Sequence, residues 1–218
     1  MKYNTILFDL DGTLTNPALG ITNSIIYALN HYGITPPPRQ ELYKFIGPPL
    51  ADSFKMFYNF PEDKAREAVD IYREYFSVKG LFENEVYEGI AEMLDKLNDT
   101  GYKLGVATSK PDVFSQQILE HFGLMDKFVF LSGNTIEETR PTKIQVIEYA
   151  MQNMGFDPAS TIMVGDRKFD ILGAKHFGIC PVGVLYGFGD REELETAGAE
   201  YICETVADLE KLLLELNK

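Results

Sequence analysis

Asp9 and Asp11 close the apolar run Thr5-Ile6-Leu7-Phe8 and lead straight into Gly12 and Thr13. Two carboxylates two residues apart share one face of an extended segment. At the tip of a buried strand each is costly to desolvate. At about 5 Å they repel by roughly 3 kcal/mol if the effective dielectric is about 20. A hard divalent cation is the usual neutraliser of such a pair. Gly12 and Thr13 supply the turn chemistry that takes the chain off the strand. Taken alone, the segment also reads as a strand followed by an Asp-Gly turn.

Three further segments offer complementary groups. Val106-Ala107-Thr108-Ser109-Lys110-Pro111 ends a second apolar run in hydroxyls. Hydroxyls and free N–H groups there suit a phosphate or carboxylate oxygen, although Ser109 could equally cap the helix that follows. Thr142 and Gln145 have capping-box spacing, which places Lys143 in the first turn of a helix, where a cation opposes the helix dipole. Arg140 is a competing cation three residues earlier. Val164-Gly165-Asp166-Arg167-Lys168-Phe169-Asp170 ends another apolar run. Asp166 suits an N-cap there, and Asp170, four residues on, faces the same way. In an open parallel sheet, ligands bind beyond the carboxyl ends of the strands. Carboxylates, a divalent cation and a lysine on that edge would form a site for a phosphoryl group. The cation and lysine neutralise its oxygens and one carboxylate attacks phosphorus.

The elements that must position these groups alternate along the chain. Strands are expected at Thr5–Phe8, Lys103–Ala107, Phe128–Leu131, Thr161–Val164, Val182–Leu185 and Tyr201–Cys203. Helical patterns lie at Ile90–Asn98, Val113–Phe122, Lys143–Met154, Phe169–Phe177, Arg191–Ala197 and Ala207–Leu216. Such alternation predicts a parallel sheet covered on both faces. Between about Asn16 and Phe82 no strand is evident. Asn16-Pro17 reads as an N-cap followed by proline at the first helical position. Ile21, Ile25, Ala28 and Leu29 then share a face. Ala65, Ala68, Val69, Tyr72 and Phe76 form the stripe of another helix at Glu62–Val78. The stretch reads as a helical domain inserted beside the acidic pair, with linkers near Thr15–Asn16 and Leu81–Glu85.

Composition bounds the class. The 218 residues suffice for one large domain or a core plus a smaller one. A net charge of −13 argues against a nucleic-acid groove and against an anionic membrane surface. Cys180 and Cys203 lack metal-ligand spacing and read as packed thiols. With no signal peptide and no long apolar run, the expectation is a soluble cytoplasmic protein.

Asp9-Leu10-Asp11-Gly12-Thr13-Leu14, Thr108, Lys143 and Gly165-Asp166 with Asp170 resemble the four motifs of the haloacid dehalogenase-like superfamily. The nearest likeness is to its phosphoglycolate phosphatase-like branch with a C1 helical cap, and it covers essentially the whole chain. The resemblance implies an α/β fold, a doubly wound, Rossmann-like parallel sheet core at 1–15 and 83–218 with an all-helical cap domain at 16–82. It implies a Mg²⁺-dependent phosphatase acting on a small phosphorylated metabolite. Asp9 would be the nucleophile, forming an aspartyl-phosphate, and Asp11 the general acid and then base. Mg²⁺ would be held by the Asp9 carboxylate, the Asp11 backbone carbonyl and the Asp166 carboxylate, with Asp170 holding waters or Lys143 in place. The phosphate would meet Asp9, Gly12, Thr13, Thr108, Ser109 and Lys143. Gly47-Pro48-Pro49-Leu50 looks like the cap loop that reaches the substrate through Gly47 and Pro48, although it also reads as a helix–helix turn. Many relatives carry the lysine immediately before a proline, where Arg140 stands here before Pro141.

Other readings use the same residues. A phosphosugar mutase would protect the aspartyl-phosphate from water. A nucleoside monophosphate 5'-phosphatase or a pyrophosphatase would differ only in substrate. A dehalogenase is disfavoured, since it dispenses with the metal and with an acid at position 11. A phospho-accepting receiver-like module would be shorter and lack the insertion. A monomer and a homodimer are both compatible with the sequence. His31, His121 and His176 lie on helical segments without partner spacing and are set aside. Gly187-Phe188-Gly189 lacks the third glycine of a dinucleotide fingerprint and reads as a flexible loop. Tyr72, Tyr75 and Phe76 read as cap core.

Overall fold

Apolar runs with no polar alternation become strands only where both faces are covered. In the computed structural model, which describes residues 2–216, the chain runs in this order. First come β1 (Thr5–Phe8), β2 (Thr15–Asn16), α1 (Ala18–His31), α2 (Leu50–Tyr58), α3 (Glu62–Tyr75) and β3 (Glu85–Val86). Then follow α4 (Ile90–Asp99), β4 (Lys103–Pro111), α5 (Asp112–His121), β5 (Phe130–Asn134), α6 (Lys143–Met154) and β6 (Thr161–Gly165). The chain ends with α7 (Lys168–Phe177), β7 (Cys180–Val184), α8 (Arg191–Ala197), β8 (Tyr201–Cys203) and α9 (Val206–Glu215). Six strands form one parallel sheet in the order β5-β4-β1-β6-β7-β8. This is the expected α/β, Rossmann-like architecture.

β1 lies at the switch point of that sheet. Its Thr5 pairs with Lys103 on one side and Thr161 on the other, and Phe8 pairs with Val106 and Val164. The connections run outward from β1 in both directions, so a crevice opens at its carboxyl end. Ile6, Leu7 and Phe8 are wholly buried. Leu7, Ala107 and Met163 face Val146, Ile147 and Ala150 of α6 and Ala174 of α7. Burying a side chain of this size contributes about 1.5–3 kcal/mol.

The chain divides into two compact units, one running to Thr15 and again from Val86 onward, the other Asn16–Glu85. The sequence places the linkers near Thr15–Asn16 and Leu81–Glu85. In the second unit, Ile21, Ile25, Ala28 and Leu29 of α1 are buried, as are Ala65, Ala68, Val69 and Tyr72 of α3. A π-helical turn, Phe76–Gly80, extends α3. Its Gly80 carbonyl would lie 2.0 Å from a Cβ built on Gly20, so α1 can approach that closely only with glycine there.

Several local expectations are corrected. α1 starts at Ala18 with Pro17 at its cap position, and Asn16 Oδ1 accepts a hydrogen bond from the Ala18 N–H at 3.2 Å. Two-residue strands β2 and β3 pair where the chain crosses between units; they are too short to leave a periodic signal. β5 begins at Phe130 rather than Phe128, and β7 at Cys180 rather than Val182, because Ile162 pairs with Cys180. Tyr72 and Phe76 are core, whereas Tyr75 is half-buried and its hydroxyl donates to Glu83 at 3.0 Å. No helix of the described residues is long and apolar enough to cross a membrane.

Candidate active site

Asp9 follows the last residue of β1, and its N–H continues the ladder by donating to the Val164 carbonyl at 2.9 Å. Its Oδ1 accepts from the Leu10 N–H at 2.8 Å and lies 2.9 Å from Lys143 Nζ. Lys143 reaches this point because the capping box expected at Thr142 and Gln145 forms and fixes the start of α6. Its ammonium also lies 2.7 Å from Asp170 Oδ1 and donates to the Ala107 carbonyl at 2.8 Å. Burial works to lower the affinity of that amine for its proton. Asp170 and Asp9 outweigh burial and hold it above the ordinary lysine range.

Asp166 follows β6 and is wholly buried. It does not cap α7: Arg167 takes the cap position, and Asp170 Oδ2 accepts from the Arg167 N–H at 3.1 Å. Asp166 instead turns toward the loop after β7, where its Oδ2 accepts from the Phe188 N–H at 2.8 Å. Its Oδ1 is buried with no hydrogen-bond partner among the described residues. Burial, then the charges of Asp170 and Asp9, push the Asp166 carboxyl well above the ordinary range. Burial likewise lifts Asp170, to about 6, against the pull of Lys143.

One oxygen from each of Asp9, Asp166 and Asp170 lies within 4.8 Å of the others. Oxygen ligands at about 2.0–2.6 Å from a hard cation span such separations. An all-carboxylate set selects Mg²⁺, Ca²⁺ or Mn²⁺ over softer metals. The unpartnered Asp166 Oδ1 fits the same cation, because a buried acceptor without a donor is costly. The residues therefore fit a divalent ion. Asp9, Asp11, Asp166 and Asp170 against Lys110 and Lys143 leave two excess negative charges, which one such ion would balance.

Asp11 does not join that triad. Its carboxylate pairs with Lys110 Nζ at 2.7 Å. Burial raises the pKa of Asp11 from its ordinary value, and Lys110 works to lower it. Thr108 is buried in β4, and its Oγ1 accepts from the Lys110 N–H at 3.3 Å. Ser109 lies within β4, and α5 begins three residues later with Pro111 at its cap, so Ser109 is not a helix cap. Gly12 adopts φ +83°, and Thr13 is wholly buried. Arg140 points elsewhere: it donates to Asp112 at 2.9 Å and to the Gly133 carbonyl at 2.8 Å, with its guanidinium 4.1 Å from the Tyr149 ring centre. Gly47 and Pro48 lie in the second unit, between a 3-10 turn at Arg39–Phe45 and α2.

Two groups at the site went unrecognised in the sequence. Lys110 sits in the run Val106–Pro111, but nothing local marks where its side chain goes. Gly187-Phe188-Gly189, set aside as a flexible loop, packs on Asp166. A Cβ on Gly187 would fall 2.3 Å from the Gly12 carbonyl and 2.4 Å from Asp166 Cβ, and one on Gly189 2.0 Å from the Asp166 carbonyl. The two glycines and Gly12 let three stretches of backbone close around one carboxylate. The three histidines are exposed, each in the last turn of its helix.

A model of the haloacid dehalogenase-like hydrolase family matches residues 6–184. The chain is 43% identical to a 5'-nucleotidase of Pseudomonas aeruginosa over 213 residues, 98% of this chain and 96% of that protein. It is 32% identical to the pyrophosphatase PpaX of Bacillus mycoides over the full length of both. The crystal structure of a predicted phosphatase from Clostridium acetobutylicum superposes with a TM-score of 0.96 at 49% identity, covering 99% of this chain and all of that one.

Proposed function

The chain belongs to the haloacid dehalogenase-like hydrolase family, and from that membership we propose a Mg²⁺-dependent phosphatase that hydrolyses a small phosphate monoester through an aspartyl-phosphate. The observation that carries this reading is Asp9, anchored at Oδ1 by Lys143 at 2.9 Å and grouped with Asp166 and Asp170. Asp9 attacks phosphorus, and its new O–P bond forms as the bond to the ester oxygen breaks. Asp11 gives a proton to that departing oxygen, then takes one from the water that attacks the aspartyl-phosphate, and Asp9 is released with orthophosphate. Thr108, the Ser109 N–H and the backbone at Gly12 and Thr13 bind the phosphoryl oxygens, and Lys143 offsets their charge and that of Asp9. The Asp9 and Asp166 carboxylates and the Asp11 backbone carbonyl, beside Asp170, would hold Mg²⁺, which would supply charge neutralisation at phosphorus when bound. Gly47 and Pro48 keep the substrate contact that the resemblance implies.

The 43% likeness to a 5'-nucleotidase supports nucleoside 5'-monophosphates over phosphoglycolate as substrate. The test is phosphate release with Mg²⁺ from nucleoside 5'-monophosphates, phosphoglycolate and pyrophosphate, ranked by kcat/KM. Nucleotides should rank first, and Asp9→Asn should release nothing. A higher rank for phosphoglycolate overturns the nucleotide assignment. No turnover of any monoester by the wild-type protein overturns the phosphatase.

A further inference from the structure

Asp9, Asp166 and Asp170 each receive a hydrogen bond from a backbone N–H, of Leu10, Phe188 and Arg167 respectively. Backbone donors fix a carboxylate through the fold itself. Asp11 is held differently. Its partner is the Lys110 ammonium, 2.7 Å from Oδ1, on a side chain only 6% exposed. A buried ammonium is costly unless paired, so each group fixes the other.

Lys110 reaches Asp11 through an irregularity in β4. Ala107 pairs with Ser132 and Pro111 with Asn134, so four steps along β4 match two along β5. A bulge of this kind re-aims a side chain. Gly133 lies opposite it: a Cβ there would fall 2.7 Å from both the Lys110 carbonyl and the Asp112 nitrogen. The bulge therefore closes against β5 only with glycine at 133.

From this geometry we infer that Lys110 is the positioning residue for Asp11, holding the carboxyl where it protonates the departing ester oxygen. This rests on the reaction proposed above. A proton donor matters most when the leaving oxygen is a poor leaving group, and general acid catalysis contributes about 10²- to 10⁴-fold. A misplaced donor therefore leaves a signature that loss of folding or of phosphate binding does not.

The test compares kcat/KM for a nucleoside 5'-monophosphate, an alkyl ester, with that for 2,4-dinitrophenyl phosphate, whose leaving group needs no proton. Lys110→Met should lose about 100-fold or more on the alkyl ester and less than about 10-fold on the aryl ester. Lys110→Arg, which keeps the charge, should restore part of the alkyl activity. It also carries the test if the Met variant does not fold, by showing the same preference for the aryl ester to a smaller degree. Equal losses on both esters, or no loss on either, overturn the inference. Asp9→Asn separates the two readings: if it retains activity on the aryl ester, the aspartyl-phosphate reaction itself fails, whatever Lys110 does.

Discussion

Replacing Asp166 with Asn should make the protein more stable and inactive at once. The side chain is wholly buried, its Oδ1 has no partner among the described residues, and two further carboxylates stand beside it. An unfolded aspartate ionises near 3.8. Burial and the neighbouring Asp170 and Asp9 push the folded carboxyl well above that value, and a buried oxygen left without a partner costs about 1–3 kcal/mol. Asn removes that cost, keeps an oxygen for the Phe188 N–H and offers its own N–H groups to the neighbouring carboxylates. A gain of about 1–3 kcal/mol raises Tm by roughly 2–12 °C for a chain of this size. The assay is thermal unfolding at pH 7 with a chelator and then with Mg²⁺. Mg²⁺ should raise the wild-type Tm and leave that of Asp166→Asn unmoved. The pH dependence has a defined sign. Raised carboxyls at Asp166 and Asp170 mean that the fold binds more protons than the unfolded chain between about pH 4 and 6. Chelated wild type should therefore lose stability as pH climbs through that window, and the Asn variant should lose less. An Asp166→Asn protein that melts below wild type in chelator would refute the reasoning, because the carboxylate would then be a net support of the metal-free fold.

Lys143→Met strands Asp9 and Asp170 without their shared cation and should cost about 3–5 kcal/mol in denaturant unfolding, with phosphate release lost. Arg140→Ala removes a half-buried pair with Asp112 and the stacking on Tyr149. It should cost about 1 kcal/mol and leave kcat/KM within about twofold; a larger loss of activity than in Lys143→Met would reverse the assignment of the two cations. Gly187→Ala drives a Cβ into Asp166 and the Gly12 carbonyl. Destabilisation of about 1–3 kcal/mol and a weaker response to Mg²⁺ are expected, both visible in the same melts.

What the sequence made legible was whatever a short window encodes. The abrupt end of Thr5–Phe8 at Asp9 placed the central strand and its carboxylate, because apolar continuity and its interruption are local. Thr142 and Gln145 placed Lys143, because a capping box spans four residues. The readings that failed depended on distant partners. Asp166 looked like a helix cap, and only the loop 22 residues on shows why it turns away. Gly187 and Gly189 read as a flexible loop because the carbonyls they approach belong to Gly12 and Asp166. Lys110 was silent because the bulge that aims it is a register difference between β4 and β5, a property of two strands that neither carries alone.

The central claim is that Asp9 becomes phosphorylated during turnover. Rapid quenching of the enzyme with substrate and Mg²⁺, followed by borohydride reduction, converts an acyl phosphate to homoserine at the residue that carried it. Peptide mass spectrometry then reads the position. The account predicts homoserine at position 9, dependent on substrate and absent from Asp9→Asn. Homoserine at 11, 166 or 170, or turnover with no modified aspartate, would contradict it.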